Sequence, residues 1–516
     1  MSIFLLSIFL ALLLGLGLGI FISVYSYPQG ILAFYSSFPV VTLSVAIILI
    51  ILLLYSLLIR KRFVLWVCPV ILILYLSFVY SFVISKKRVD KLVSTPPTSF
   101  LSGYVKVSFL KKVLVQSSNY NVWVYLREYD SEFSRLGADV IVIGKPRHFY
   151  SYLTNNDFLS YALYLLKNDV PFVLYADENS LIDSYGEERN DLLRLANDLR
   201  QNVFYVFERE LPLIFWLSSS LIIGESSEMS REFSEGVRKA GLAHIFSVSG
   251  FHVGVIVGVL VILFNLFKIP RVVQFAFSTL FLIIYSIVVG LKPPVVRASV
   301  LASIVLLMRS FSFKPNYLNI TSITGIVMLL VNPFLSVDVG FVLSFVALIS
   351  IILFSRYVSD AFSVFLNLVF KLEMSNISRS IVTLFSVSLV ATVFTLPIVL
   401  MWFGKSSVVG ILSSIVMVPL SSLNITSGML SYVSYALFPS VGELFFRATN
   451  FFNVVFIWLT NYFSSLPLEI STKLGVLTFA VGIPVYYCLA SLIIVRLPRI
   501  TFSSVRILEN LFLKLR

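Results

Sequence analysis

The chain has 516 residues, 58% of them hydrophobic and only 13% charged, with a formal net charge of +13. Soluble domains carry about a quarter charged residues, so this composition excludes an ordinary soluble protein. Apolar runs of bilayer-crossing length recur throughout, which makes the chain a polytopic α-helical membrane protein.

The charge is unevenly placed. Residues 85–210 contain 16 Lys+Arg and 16 Asp+Glu, so the whole excess lies outside them. Part of that excess is the ordinary bias of membrane loops, and net charge alone is weak evidence for nucleic acid. Cys68 and Cys488 stand far apart in apolar runs; they match no metal or disulfide spacing and read as small hydrophobes.

Three spans open the chain, at Ile3–Val24, Phe38–Ile59 and Phe63–Ile84. The first lacks a basic leading region and reads as an uncleaved span rather than a signal peptide. Arg60, Lys61 and Arg62 join the second to the third, whereas residues 25–37 carry no charge. The short-loop rule therefore puts Arg60–Arg62 in the cytoplasm and the following polar segment outside. Lys86, Lys87, Arg88 and Lys91 are discounted because they open a long domain, which translocates largely regardless of charge.

Within residues 85–210, runs rich in Val, Ile and Tyr occur at Tyr104–Val107, Lys112–Gln116, Asn121–Arg127, Ala138–Ile143 and Pro171–Tyr175. Five short strands predict a small extracytoplasmic β-barrel, with the OB-fold one candidate. Leu192, Leu195, Leu199, Val203 and Phe207 then recur at helical spacing, as in an amphipathic connector returning to the membrane. Leu211–Ile223 is too short to span comfortably. Met229, Phe233 and Val237 recur every fourth residue, so residues 211–243 read as an interfacial segment.

Nine further spans follow, at His244–Phe267, Val272–Leu291, Val295–Met308, Tyr317–Val331, Val339–Phe354, Ile381–Trp402, Val408–Val433, Ala448–Phe463 and Leu474–Val495. About twelve spans result, the last nine forming a membrane domain over 244–496 ahead of a basic tail at 497–516. Alternation from an outside start places Lys268, Arg271, Arg309, Lys314, Arg356, Lys371, Arg379 and the tail inside, as the charge rule requires.

Gly241–Gly254, GLAHIFSVSGFHVG, holds two of the three histidines of the chain, His244 and His252, around Ser247, Ser249 and Gly250. Lipid-facing helices avoid such polar content, so the segment lines a cavity, a pore or a packed interior. As an unbroken helix it would pair His244 with Ser247 and Ser249 with His252, the imidazoles roughly 12 Å apart along the axis. Alternatively, the Ser-Val-Ser-Gly stretch unwinds and presents its backbone to a cavity.

The histidines admit three readings. A metal site lacks a cluster of further ligands. Nucleophilic catalysis by Ser249 or Ser247 needs an orienting acid, which Asp338 would supply only if the fold brings it near, and the G-x-S-x-G elbow is missing. A non-catalytic lining or hydrogen-bond network is the preferred reading. Pro293 and Pro294 begin a short span whose Arg297 needs a partner or water, and the natural partners of Asp338 are Arg297 or a histidine. Pro397 and Pro419 interrupt later spans.

Several of these pieces resemble, in order and rough spacing, the ComEC-type competence proteins, the inner-membrane channels for DNA uptake in natural transformation. Leu221–Gly224 and Phe233–Gly254 look like the signature with which that family's chain enters the membrane. PPVVRA at Pro293–Ala298, NPFLSVDVGFVLSF at Asn332–Phe345 and TLPIVLMWFG at Thr395–Gly404 follow. Gly137–Asp177 is similar to the family's extracytoplasmic OB-like domain, and the likeness covers most of the chain from Ser99 to Val433.

The resemblance implies passage of single-stranded DNA through the membrane domain, with the OB-like domain outside the inner membrane. OB-folds bind single strands with stacking aromatics and a basic groove. This sequence offers Tyr104, Trp123, Tyr125, Phe149 and Tyr150 together with Lys106, Lys111, Lys112, Arg127, Lys145 and Arg147. Half of these aromatics could equally be barrel core. Many family members carry a C-terminal metallo-β-lactamase-like domain; here no H-x-H-x-D-H run exists, so the expected protein is a channel without its own nuclease, non-enzymatic and cofactor-free. Its expected partners are single-stranded DNA, the lipid membrane, a DNA receptor, a separate nuclease and a cytoplasmic motor, with a homo-oligomer left open. The rivals are a transporter of another polyanion or lipid-linked substrate, and an intramembrane Ser/His hydrolase.

Overall fold

A computed structural model describes residues 2–26, 62–109, 112–117, 120–125, 139–153, 159–175, 182–184, 191–224, 229–246, 248–290, 292–370, 375–403, 405–407, 409–466 and 469–471. They form two compact units. The first contains residues 1–229, 245–342 and 422–453; the second contains 230–244, 343–421 and 454–516.

In the first unit, α1 (Ser2–Ser26) is apolar on every side and packs against α2 (Arg62–Ser94). A Cβ on Gly15 would lie 2.0 Å from Ser77 Oγ, and one on Gly19 would lie 2.1 Å from Ser81 Oγ. Such small-residue faces let helix backbones approach closely where lipid removes the hydrophobic drive for association. On its other side α1 places Phe9 over Gly325 of α12 (Tyr317–Val331).

The C-terminal end of α2 leads into a sheet of seven strands: β1 (Phe100–Phe109), β2 (Lys112–Gln116), β3 (Asn121–Tyr125), β4 (Asp139–Ile143), β5 (Lys145–His148), β6 (Phe172–Tyr175) and β7 (Ile182–Ser184). Alternate residues build its core, among them Val113 and Val115, Val122 and Val124, Val140 and Val142, Phe172 and Leu174, the period-2 pattern of strands. The order is β5-β6-β3-β2-β1-β4-β7, with β3 and β6 parallel and the other pairs antiparallel. This corrects the expected closed barrel. Each strand that would have to meet at the seam already has a second neighbour: β6 holds β5, and β4 holds β7. Among the described residues the sheet is open. Two short helices, α3 (Tyr150–Leu153) and α4 (Leu159–Lys167), lie between β5 and β6.

The helix α5 (Asp191–Glu210) returns from the sheet. It buries Phe207 with Leu211, Ile222, Ile223 and Phe446, and α6 (Phe215–Ile222) is buried from Leu217 onward. The same unit holds α9 (Gly250–Leu266), α10 (Arg271–Val288) and α11 (Pro293–Ser310). Pro293 and Pro294 occupy the first turn of α11, where a missing N–H removes no helical bond.

The second unit contains α7 (Arg231–Lys239) and the first two residues of α8 (Ala243–Phe246), with most of α13 (Val339–Phe370), α14 (Asn376–Phe403) and the first part of α15 (Val409–Leu437). Its remaining elements are the end of α16 (Pro439–Ser464) and the paired strands β8 (Lys405–Ser407) and β9 (Glu469–Ser471). Pro397 and Pro419 lie inside α14 and α15, which continue through them rather than being interrupted. In a packed membrane bundle, neighbouring groups compensate the backbone carbonyl that a proline leaves without its N–H.

Among the described residues, five helices are long and apolar enough to cross a membrane: Pro69–Ser94, Arg271–Val288, Val339–Ser363, Ser378–Leu400 and Val409–Leu437. Leu6–Ile20, Gly250–Leu266 and Tyr317–Val331 are shorter apolar helices. Two of the twelve expected spans, Phe38–Ile59 and Leu474–Val495, lie outside the described residues.

The contact of α1 with α2 gives a direct expectation. Gly19→Val should destabilise the protein by about 1–3 kcal/mol through overpacking. Gly17→Ala, whose added Cβ would meet Ser336 O at 3.6 Å, should be tolerated. Thermal unfolding of the purified variants in detergent measures the difference.

Candidate functional site

The His-Ser segment does not form one helix. After α8 the chain breaks, and Ser249, with extended backbone at φ −125° and ψ 179°, caps the start of α9. Ser249 Oγ accepts from the Phe251 N–H at 3.3 Å, and the Ser249 N–H donates to His252 Nδ1 at 3.2 Å. This is a capping box with His252 in the place usually taken by Glu or Gln. His252 is fully buried. Ser249 Oγ also lies 3.3 Å from His252 Nδ1, but that lone pair already receives the Ser249 N–H. Proton abstraction from Ser249 would compete with the cap.

Gly250 lets α9 approach α11, because an added Cβ would lie 3.4 Å from that of Ala298. Val248 joins Val253, Ile256, Leu282, Tyr285, Val289 and Val295 in one apolar cluster. The nearby Ile222–Gly224 turn is tied down by Tyr285, whose hydroxyl donates to Ile222 O at 2.8 Å, and by Lys292, which donates to Gly224 O. Ser247 lies outside the described residues.

His244 belongs to the second unit. Its Nδ1 is 3.1 Å from Gly241 O. Gly241 has φ +73°, and a Cβ there would sit 2.5 Å from Gly410 Cα, so both the turn and the approach require glycine. Ser413 Oγ donates to Ala240 O at 2.8 Å and holds the same turn.

A second centre forms around Asn332–Phe341 in the first unit. Asn332 Oδ1 accepts from the Phe334 N–H and caps a 3-10 turn, Pro333–Val337. Asp338 then caps α13, with Oδ1 accepting from the Phe341 N–H at 2.7 Å. Its Oδ2 accepts from Lys167 Nζ at 2.5 Å. Arg297, only 1% exposed, donates from Nη2 to Gly340 O at 2.7 Å and stands over the Phe341 ring. Arg297 and Asp338 therefore meet at one helix start, but the ion partner of Asp338 is Lys167 rather than Arg297 or a histidine. Among the described residues, Arg297 Nε and Nη1 have no hydrogen-bond partner.

Lys167 ends α4 of the sheet domain, so the ion pair joins that domain to the membrane helices. Arg88 supports the joint. Its guanidinium donates to Leu166 O at 3.3 Å, lies 4.0 Å from Asp169 and stacks 3.8 Å over Phe334. Lys91 pairs with Asp169 at 2.9 Å.

The predicted DNA-binding residues separate into different environments. Trp123 is 2% exposed and stacks on Tyr164 of α4, and Phe149 is fully buried, so both are packing residues. Tyr104 donates to Gln116. Lys145 and Arg147 are exposed on β5, while Lys106 and Lys112 stand on β1 and β2. Lys111 and Arg127 lie outside the described residues.

A tyrosine patch emerges that the sequence reading included only in part. Tyr125 stacks on Tyr175 at 5.3 Å and shares a 2.9 Å hydrogen bond with Tyr161, which meets Tyr152 edge-on. The Arg147 guanidinium lies 4.7 Å over the Tyr152 ring. Burial, reinforced by their mutual contacts, holds the phenols of Tyr152 and Tyr161 well above the ordinary tyrosine range, so they stay neutral. No helical or strand period collects these tyrosines, because they come from two strands and two helices.

The profile of one protein family, described as "Competence protein", matches residues 221–499, a little over half of the chain. The chain belongs to the competence protein family. Over 248 residues it is 27% identical to ComE operon protein 3 of Bacillus subtilis (strain 168), a match covering 48% of this chain and 30% of that relative. No solved structure matches. Every membrane motif that suggested the ComEC-type likeness, from Leu221 to Gly404, falls inside the matched residues.

A polar seam that the sequence reading missed joins the matched region to Ser218, just before it. Asn424 donates to Asn453 at 2.7 Å, and Asn453 donates to Ser218 at 2.8 Å, all fully buried. Among the described residues, no group of three His, Cys, Asp or Glu side chains could hold a metal ion.

The joint at Asp338 can be tested directly. Asp338→Ala leaves Lys167 and the Phe341 N–H unpaired and should lower stability by about 2–4 kcal/mol. Asp338→Asn keeps an acceptor for both and should cost about half as much. Thermal unfolding of both variants in detergent gives the comparison, and equal values would remove Asp338 from the joint.

Proposed function

We propose that this protein is a multi-pass inner-membrane channel that passes single-stranded DNA into the cytoplasm during natural transformation. Membership of the competence family supports the DNA-uptake role. The observation that carries the reading is the helix α4. At one end Tyr161 belongs to the tyrosine patch; at the other Lys167 grips Asp338, beside the buried Arg297.

The sheet domain lies outside and receives the strand. Tyrosines have π-faces for bases of any sequence, and Arg147 supplies a cation for the backbone. The order β6-β3-β2-β1-β4 is what supports reading this open sheet as OB-like. Among the membrane helices, the helix break before Ser249 and the two unpartnered guanidinium nitrogens of Arg297, Nε and Nη1, are suited to a polar path. The chain acts as a passage rather than as an enzyme. A receptor delivers DNA, a separate nuclease removes the other strand, and a cytoplasmic motor supplies the drive.

Binding should follow the patch. Full-length protein in detergent should bind a single-stranded oligonucleotide with steep salt dependence. Arg147→Ala combined with Tyr175→Ala should weaken binding about tenfold or more, at roughly 1–3 kcal/mol per lost stack. Trp123→Phe should leave it unchanged. Unaltered binding by the double variant would leave the domain as a scaffold.

A transformation assay in a deletion strain separates a passage from a hydrolase. Ser249→Ala should cost about 1 kcal/mol of helix capping and leave substantial uptake. His252→Gln keeps a hydrogen-bonding side chain and should also retain part of it. Loss of all transformation in both, with normal membrane levels on immunoblots, would favour a Ser-His nucleophile, whose removal costs several powers of ten in rate.

A further inference from the structure

At one end of the first unit, the C-termini of α9 and α11 meet the N-terminus of α10 around a cleft of about 370 Å³. Its polar lining is Asn265, Arg271, Gln274, Arg309 and Ser312, with Phe313 at its side. Gln274 is 7% exposed and donates at 2.9 Å to both Asn265 Oδ1 and Ile269 O, which fixes the wall between the helices. Both α9 and α11 end in a left-handed residue that is not glycine, Lys268 at φ 53° and Ser312 at φ 60°. Backbone bonds from Ile269 to Phe264 O and from Phe313 to Met308 O close those two turns.

The cleft is cationic with no internal compensation. The chain has no Asp or Glu from Gly236 to Val337, and the two loops here also carry Lys268 and Lys314. Among the described residues, Arg271 and Arg309 form no ion pair. Around these cations the surface is apolar: Leu266, Phe267, Phe311 and Phe313 are all exposed. An anion that fits must therefore join a compact negative head to an apolar body.

We infer that this cleft binds the phosphate headgroup of an anionic phospholipid, held between Arg271 and Arg309 with its acyl chains along the exposed apolar rim. A pocket of basic side chains between membrane helices is the arrangement that recognises such headgroups. A nucleic-acid strand shares the phosphate chemistry but has no use for the aliphatic rim. The site does not rest on the DNA-channel reading.

The test uses the full-length protein in neutral detergent, with bound lipid counted by native mass spectrometry. Short-chain phosphatidylglycerol, short-chain phosphatidylcholine, inorganic phosphate and an oligothymidylate are each titrated. Phosphatidylglycerol should bind tightest, and its binding should fall as salt is raised. Arg271→Gln with Arg309→Gln should weaken it roughly thirtyfold, as expected for two surface cations, and leave phosphatidylcholine unchanged. Arg271→Lys with Arg309→Lys should retain most of the preference. Equal binding of the two lipids, salt-independent binding by the unmodified protein, or unchanged binding by the glutamine variant would overturn the proposal. Displacement of the lipid by inorganic phosphate at matched concentration would mean a free-phosphate site, and displacement by the oligothymidylate a nucleic-acid surface; either overturns it too.

Discussion

The carboxylate of Asp338 is where the first unit is tied together. One oxygen takes the N–H of Phe341 and fixes where α13 begins; the other takes Lys167 and fixes where the sheet domain sits. A carboxylate at a helix start is favoured by the helix dipole as well as by the hydrogen bond. The pair is only partly exposed, at 11% and 16% of the side chains, so water screens it weakly. Removing either partner would leave the other poorly solvated. Arg88 then completes the joint by using both of its properties, the charge toward Asp169 and the flat face on Phe334. A lysine could not do both.

Elsewhere the helices are held by small residues and hydroxyls. Ser286 Oγ lies 3.1 Å from Ser299 Oγ, and Ser431 lies 3.0 Å from Thr449. Many other serines return their hydroxyl to their own helix, as Ser414 does to Gly410 O and Ser386 to Val382 O. That self-satisfaction lets a helix carry a polar side chain in an apolar setting without demanding a partner. That self-satisfaction is not universal: among the described residues the hydroxyls of Ser219, Ser278 and Thr324, and Nε and Nη1 of Arg297, are buried without a hydrogen-bond partner.

The sequence exposes some of this and hides the rest for physical reasons. Strands alternate with period 2, and the runs at 112–116, 121–125, 139–143 and 172–175 were all legible from Val, Ile and Tyr alternation. Closure was not legible, because β5 reads KPRH and β7 reads IDS, segments with no apolar face to announce them. Arg297 and Asp338 were visible as charges out of place in apolar runs. Lys167 was not, since a lysine at the end of a short helix has nothing unusual about it until the fold brings it 171 positions along the chain to Asp338. Trp123 misled for the converse reason: an aromatic residue on a strand looks the same whether it faces solvent or a covering helix.

The His-Ser motif shows how spacing alone can support opposed chemistries. An i, i+3 Ser-His pair puts a hydroxyl beside an imidazole both in a nucleophile with its base and in a capping box. The difference lies in what the imidazole nitrogen already holds. Here Nδ1 receives the backbone N–H of Ser249, a donor that a helix start must satisfy somewhere. Glutamate in that position would bring a buried negative charge into the bundle, and His252 satisfies the donor as a neutral group. The cap of α9 thus brings no carboxylate into a stretch that has no Asp or Glu from Gly236 to Val337.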